Sequence, residues 1–290
     1  MVAQILDGKY YSGVLLDRLA VHIDSFKQDI PPGLAVVQVG SIEASSIYIR
    51  HKIKACKRVG IVTLVKNFAS ITEQDLLLEI KKLNLDSRVH GILVQLPLPV
   101  DIDEQVILDA IDPTKDVDGF HPYNAGLLMQ KRPSLESCTP MGIRLLLEHY
   151  GCDLSGLDTV VVGASNIVGR PAALNCLLKQ STVTICHSKT RDLSSHIRRA
   201  ECLIVAVGNP KVVAVGDIRD GAIVVDVGIN RSAAGKIIGD IDYKEACKKA
   251  SWITPVPGGV GPMTVACLML NTWKAYHQQL GLGKASSFVA

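Results

Sequence analysis

Short apolar runs alternate along the chain with longer stretches in which apolar residues recur every third or fourth position. The runs at 34–39, 61–66 and 91–96 fit buried strands, and the stretches 44–59, 72–83 and 104–111 fit helices. Strands separated by helices of this length predict a parallel sheet with crossover helices. Pro97-Leu-Pro99 stops the third strand. Residues 133–139 read as a linker, and 140–150 as a helix with Thr139 as its cap and Pro140 at its first position. Gly151 stops that helix, and the domain boundary is placed near it. A second alternation follows, with strands opening at Asp158, Thr182, Cys202 and Ala222. Residues 254–264 carry three glycines and three prolines, which predicts a rigid, tightly shaped loop. The stretch 263–280 reads as a long helix that crosses back to pack on the first domain. After Gly281 a loose tail is expected.

Composition narrows the function classes. The chain has 290 residues, 48% hydrophobic and 20% charged, which suits a globular protein with room for two domains. A net charge of +3 is too small for a nucleic-acid footprint. No apolar run approaches the roughly 20 residues of a membrane span. The N-terminus meets Asp7 before any long apolar core, unlike a signal peptide. The eight cysteines form no Cys-x-x-Cys pair, which suits free thiols in a reducing compartment. With no His-Glu-x-x-His and no Cys/His cluster, a structural metal is not expected. The cytoplasm is the expected location.

Candidate chemistry sits where strands end. Tyr48 and Lys52 are four apart on the first helix, so both leave the same face. A phenol beside an amine on a rigid element can position a proton; the same spacing also fits a solvated lysine beside a half-buried tyrosine. Gln95 lies at the carboxyl end of the third strand, where ligands bind in such sheets. Lys115-Asp-Val-Asp118-Gly-Phe-His121 is an acid-rich loop, fitting either a solvated turn or a carboxylate aimed into a pocket. It does not continue into a calcium-loop pattern.

In the second half, Gly163-Ala-Ser165-Asn-Ile-Val-Gly169 follows a strand and opens a helix expected to begin near Asn166. Backbone amides at such a start attract phosphate, although the turn is also compatible with a purely structural role. Ser165 stands where a second glycine is usual, and its side chain is expected to hold a pyrophosphate further off, through its hydroxyl or a water. A nucleophile elbow is excluded because Ile167 fills its last position. The strand at 182–186 ends in His187-Ser-Lys-Thr-Arg191 instead of the acid that usually holds a ribose of NAD. Hydroxyl and basic groups there suit the extra phosphate of NADP, or a positively charged surface turn.

Taken together, Tyr48-x-x-x-Lys52, Gln95-Leu-Pro-Leu-Pro99, Lys115-Asp-Val-Asp118, Gly163–Pro171, Asp226-Val-Gly-Ile-Asn230 and Pro257-Gly-Gly-Val-Gly-Pro-Met-Thr264 cover nearly the whole chain. In this combination the sequence resembles the bifunctional methylenetetrahydrofolate dehydrogenase/methenyltetrahydrofolate cyclohydrolase family. The resemblance implies two α/β domains with a cleft between them, the second a Rossmann-like doubly wound parallel sheet. It places a folate-binding catalytic domain at 1–139 and 271–290 and an NADP-binding domain at 140–270. It implies oxidation of methylenetetrahydrofolate with NADP, then hydrolysis to formyltetrahydrofolate, in one-carbon metabolism and purine biosynthesis.

The resemblance also assigns residues. Lys52 is the key cyclohydrolase group, with Tyr48 and Gln95 positioning it. Asp118 anchors the pterin, and Pro257, Gly258 and Gly259 wall the folate pocket. Gly163, Ala164, Ser165 and Ile229 contact the dinucleotide, with Ser188 near its extra phosphate. Some members carry arginine where this chain has Ala164; His187, Lys189 and Arg191 are the compensating groups. A homodimer is implied. A short-chain dehydrogenase also uses Tyr-x-x-x-Lys, but there the glycine turn comes first, the reverse of this order. A non-catalytic folate or nucleotide sensor would not need Tyr48, Lys52, Gln95 and Asp118 at once.

Overall fold

The computed structural model describes residues 2–26, 30–40, 43–210, 212–232 and 234–282, with the side chains of 43–48 outside the description. In chain order the first elements are β1 (Gln4–Ile5), α1 (Gly8–Ser25), β2 (Gly33–Val39), α2 (Glu43–Val59), β3 (Val62–Phe68), α3 (Glu73–Leu85) and β4 (Gly91–Val94). Then come α4 (Glu104–Asp109), α5 (Pro122–Met129) and α6 (Cys138–His149). The remainder runs β5 (Asp158–Val162), α7 (Gly169–Leu178), β6 (Thr182–Cys186), α8 (Leu193–Arg199), β7 (Cys202–Val205) and β8 (Ile223–Asp226). It closes with β9 (Asn230–Arg231), β10 (Ile237–Ile238), α9 (Tyr243–Ala246), β11 (Trp252–Ile253) and α10 (Val260–Gln279).

Two compact α/β units result. One holds the residues up to Ser12 and Thr139–Thr264; the other holds Gly13–Cys138 and the chain from Val265 onward.

The second of these carries a three-stranded parallel sheet in the order β3-β2-β4. Its central strand is apolar on both faces. Ala35, Val37 and Val39 pack with Leu76, Ile80 and Leu83 of α3, while Leu34 and Val36 are buried on the opposite side. That is the signature of a strand covered on both faces. The 4-then-3 spacing of Leu76, Ile80 and Leu83 is the apolar stripe of α3. Thr72 caps that helix by accepting from the Asp75 N–H at 3.1 Å. The carboxyl-terminal part of α10 belongs to this unit and buries Trp273 and Tyr276.

The other unit carries a six-stranded sheet in the order β1-β11-β8-β7-β5-β6, parallel at every pairing. Its interior is built from Val160, Val162, Leu203, Val205 and Val224. The first strand belongs here: β1 pairs with β11, Gln4 facing Trp252. Residues 2–12 therefore belong with 139–264 and not with 13–138, where the expected 1–139 domain had put them, because a two-residue strand has no alternation to read. Residues 133–139 are not a loose linker: Leu135, Glu136, Ser137 and Cys138 are all buried. Helix α6 starts at Cys138, so Thr139 lies inside it and pairs its hydroxyl with that of Thr264 at 3.0 Å. Likewise α10 begins at Val260, which turns the second half of the glycine–proline run into helix. No helix among the described residues is long and apolar enough to cross a membrane.

Candidate active site

Strands β2 and β4 are parallel neighbours in register, Leu34 beside Gly91 through Val37 beside Val94. Their carboxyl ends therefore share one edge of the sheet. Helix α2, which follows β2, carries Lys52, and Gln95 follows β4 directly. The Gln95 N–H donates to Val37 O at 2.9 Å, which extends the ladder and fixes the residue. Its side-chain NH₂ donates to Leu96 O at 2.8 Å. The amide oxygen is thereby turned toward Lys52, whose Nζ donates to it at 3.0 Å. Both side chains are half-buried. Tyr48 lies on α2, one turn before Lys52, and its side chain falls outside the described residues.

Asp118 is delivered to the same unit by a segment lying alongside β4. Ile92 bridges Asp116 in parallel fashion, and the Ile92 N–H donates to Lys115 O at 2.8 Å. The two acids of this segment do different work. Asp116, 1% exposed, is saturated. Its Oδ1 accepts from the N–H groups of Gly119 and Phe120, both at 3.1 Å, and its Oδ2 from His121 N–H and Asn124 Nδ2, both at 2.9 Å. Lys115 is buried and caps the end of α3, its Nζ donating to Leu83 O at 3.2 Å and Asp86 O at 2.9 Å. From α10, Asn271 donates to Val117 O at 2.8 Å and Glu136 O at 2.7 Å.

A loop held at so many points can present one carboxylate that has no hydrogen-bond partner of its own among the described residues. Burial pushes the Asp118 carboxyl up to about 6; the nearby Lys52 ammonium opposes this, and Asp116 adds to it. Sequence patterns gave Asp116 and Asn271 no role; the adjacency of Asp116 to Asp118 was the available signal.

The other unit gathers its candidates at the carboxyl ends of β5, β6, β8 and β11. After β5, Gly163 has φ +124°, and a Cβ there would overlap Ala206 O. A Cβ on Gly169 would overlap Gly163 O. Both positions need glycine for close backbone approach. Ala164 and Ser165 lie between them. The Ser165 hydroxyl accepts from the N–H groups of Val168 at 3.2 Å and Gly169 at 3.3 Å. That side chain closes the turn and delays α7 to Gly169, three residues after the expected start. Beyond β6, His187 N–H donates to Thr190 Oγ1 at 2.9 Å and Lys189 N–H to His187 Nδ1 at 3.2 Å. This small turn leaves Ser188, Lys189 and Arg191 exposed.

Beyond β8, two acids organise the loops: Asp226, which opens a motif but was given no role, and Asp240, which no pattern marked. Asp226 Oδ1 accepts from Gly228 and Asp240 N–H, and Oδ2 from Ile241 N–H, each at 2.9 Å. Asp240, fully buried, accepts from Val207 N–H at 2.8 Å, Gly208 N–H at 3.0 Å and Asn230 Nδ2 at 2.8 Å. Together they tie the ends of β7 and β8 and leave Ile229 exposed between. Beyond β11, Gly258 has φ +115° and its carbonyl accepts from Lys9 N–H at 2.8 Å. A Cβ on Gly8 would overlap Gly259 O, so Pro257–Gly259 is pinned against the start of α1. Lys52, Gln95 and Asp118 thus come together in one unit. The turn residues Gly163, Ala164, Ser165, Ser188 and Ile229, with Pro257, Gly258 and Gly259, belong to the other.

Comparison with known proteins agrees with this two-part layout. Residues 6–118 match the model of the tetrahydrofolate dehydrogenase/cyclohydrolase catalytic domain, and residues 137–280 that of its NAD(P)-binding domain. The chain is 50% identical over 273 residues to the bifunctional protein FolD of Nautilia profundicola, covering 93% of this chain and 96% of that one. The crystal structure of the bifunctional FolD dehydrogenase/cyclohydrolase from Campylobacter jejuni superposes with a TM-score of 0.93 at 48% identity, over 96% of this chain and 99% of the other. The Trypanosoma brucei dehydrogenase-cyclohydrolase, solved with NADP cofactor and an inhibitor, gives 0.92 at 32% identity, over 97% and 99%.

Proposed function

We infer the activity from one premise: the chain belongs to the tetrahydrofolate dehydrogenase/cyclohydrolase family and carries both of its domains. It oxidises methylenetetrahydrofolate to methenyltetrahydrofolate with NADP and hydrolyses the product to formyltetrahydrofolate. The observation that carries the second step is the 3.0 Å hydrogen bond from Lys52 Nζ to Gln95 Oε1, within the electrostatic reach of Asp118.

In the first step two nitrogen lone pairs push hydride off the methylene carbon, so the residues chiefly orient the reactants. NADP, when bound, accepts that hydride. The chain's residues fit such a dinucleotide: two glycines allow close backbone approach, and the Ser165 O–H remains as a donor at the start of α7. Ser188, with Lys189 and Arg191, is the proposed seat of the ribose phosphate, and Ile229 a contact beside it. The expected result is a higher kcat/KM with NADP than with NAD. Loss of one phosphate contact is worth about 1.5–3 kcal/mol. Equal kcat/KM values for the two cofactors would remove this assignment.

In the second step water adds to a cationic amidinium, and a ring nitrogen takes a proton as the ring opens. Lys52 is proposed to carry that proton, held by Gln95 and backed by Tyr48. Asp118 is proposed to accept from the pterin amino groups, and Pro257–Gly259 to line the folate pocket. This gives Asp118→Ala a distinctive signature. Its carboxyl in the folded chain titrates near 6, above the ordinary 3.8, so the folded state binds that proton more tightly than the unfolded one. Asp118 therefore lowers stability as pH rises through that window, by on the order of 3 kcal/mol. Asp118→Ala is expected to lose both activities while denaturation at pH 7 shows no loss of stability. In the wild type, folate affinity is expected to rise with pH up to about 6. Retention of folate affinity and both rates by the variant would reduce Asp118 to a turn residue.

The chain is further proposed to work in the cytoplasm, where its cysteines, free among the described residues, stay reduced. It is proposed to form a homodimer, supported by the edge of β6, unpaired among the described residues, with Ile185 exposed. Sedimentation as a single chain at micromolar concentration would exclude the dimer.

A further inference from the structure

Asp240 stands just beyond β10, remote in sequence from the glycine turn, and its side chain is fully buried. Its Oδ2 accepts from two successive N–H groups, Val207 at 2.8 Å and Gly208 at 3.0 Å, and its Oδ1 from Asn230 Nδ2 at 2.8 Å. The carboxyl reaches them past Gly228, where a Cβ would overlap it. Asp226, at the end of β8, in turn holds the N–H groups of Asp240 and Ile241. A chain of bonds therefore runs from the end of β8, through Asp240, to the two residues that begin the loop after Ala206.

The place of that loop in the sheet gives the chain of bonds a purpose. In the order β8-β7-β5-β6, the chain leaves β5 for one side and returns to the other side at β7. A dinucleotide lies across the crevice made by such a reversal, with one mononucleotide half on each side. The turns after β5 and β6 serve the pyrophosphate and the phosphorylated ribose. The nicotinamide half then falls to the β7 side. There the Ala206 carbonyl comes so close to Gly163 that a Cβ would overlap it, and the next two residues are those that Asp240 holds. Val207 presents an exposed apolar side chain at that edge.

We propose that Asp240 is a positioning residue for hydride transfer. It fixes the backbone of Val207 and Gly208 so that the nicotinamide half is held in one pose, and it takes no part in holding the phosphates. The proposal rests on the dinucleotide reading given above.

The test compares NADP with 2′-phospho-ADP-ribose, which has the same phosphates and no nicotinamide, on the full isotope-labelled chain. In the wild type both ligands should shift the Ala164 and Ser165 amide resonances saturably, and NADP alone those of Val207 and Gly208. Asp240→Ala should bind the fragment within about threefold of wild type, yet transfer hydride about 10²-fold more slowly at saturating NADP, the scale of a misplacement of about 1 Å. Asp240→Asn should recover most of that rate. Its amide oxygen can replace Oδ2, which both backbone N–H groups share, and Asn230 Nδ2 keeps Gly239 O at 3.1 Å. Equal shifts at Val207 and Gly208 with the two ligands overturn the proposal, as does an unchanged rate in Asp240→Ala. Fragment affinity that falls as far as the rate does so too, and makes Asp240 a purely structural residue. No binding of the fragment to the wild type refutes the dinucleotide reading itself, and the proposal with it. Should Asp240→Ala not fold, the wild-type shifts and the rate of Asp240→Asn, expected close to wild type, still decide.

Discussion

Lys52→Met is expected to abolish hydrolysis of methenyltetrahydrofolate while leaving much of the dehydrogenase rate. Methionine keeps the apolar stem and removes the amine, so the packing of α2 changes little. Hydride transfer needs alignment and takes no proton from an amine. Ring opening does need a proton carrier, and losing one costs roughly 10²–10⁴ in rate. Methenyltetrahydrofolate should therefore accumulate and show its own absorbance. Lys52→Arg should fail to restore hydrolysis, since a guanidinium stays protonated. Gln95→Leu should act in the same direction more weakly, because it frees the ammonium held at 3.0 Å without deleting it. A near wild-type hydrolysis rate in Lys52→Met would make the Lys52–Gln95 pair structural.

Asp116→Ala is the second large effect, and its character is opposite to that of Asp118→Ala. Removing this carboxylate strands the Phe120 and His121 N–H groups and one N–H of the Asn124 amide, while Gly119 N–H keeps the Asp116 backbone carbonyl at 3.1 Å and Asn124 keeps Pro113 O at 2.9 Å. Each buried donor left unmet costs about 1–3 kcal/mol, so a loss of about 3–5 kcal/mol is expected after the loop relaxes. Chemical denaturation at pH 7 reads this directly. Both activities should fall together, since the loop that presents Asp118 loses its frame. A variant with unchanged denaturation midpoint would show that the Lys115 and Asn271 contacts suffice to hold the loop. Two acids separated by one residue thus divide the work: one is saturated and stabilising, while the other's carboxylate has no hydrogen-bond partner among the described residues and is costly to keep.

That division explains how far the sequence could be read. The parallel strands were legible because β2, β4, β7 and β8 are buried on both faces and appear as unbroken apolar runs. The carboxyl ends of β2 and β4 were legible for the same reason, and with them Lys52 and Gln95. Asp118 was legible as chemistry, but its neighbour was not, because saturation by backbone donors has no periodic signature. The start of α7 was misplaced because the Ser165 hydroxyl competes with the helix for its first amides. Residues 133–139 looked like a linker because what fixes them is remote in sequence: Asn271, 135 positions away, donates to the Glu136 carbonyl. Asp240 was invisible for a similar reason: its partners Val207, Gly208 and Asn230 lie on other loops.

The pairing of β1 with β11 has a consequence for biosynthesis. Gln4 leaves the ribosome well before its partner Trp252, which follows 248 positions later. At roughly 10 residues per second, the first strand waits on the order of 25 s before its seat exists. β11 lies between β1 and β8, so the edge of the sheet cannot close earlier by another route. The nascent chain must therefore complete β11 before β1 can dock. A piece beginning at Thr139 and expressed alone would carry β11 with its outer edge bare, a template for pairing with other copies.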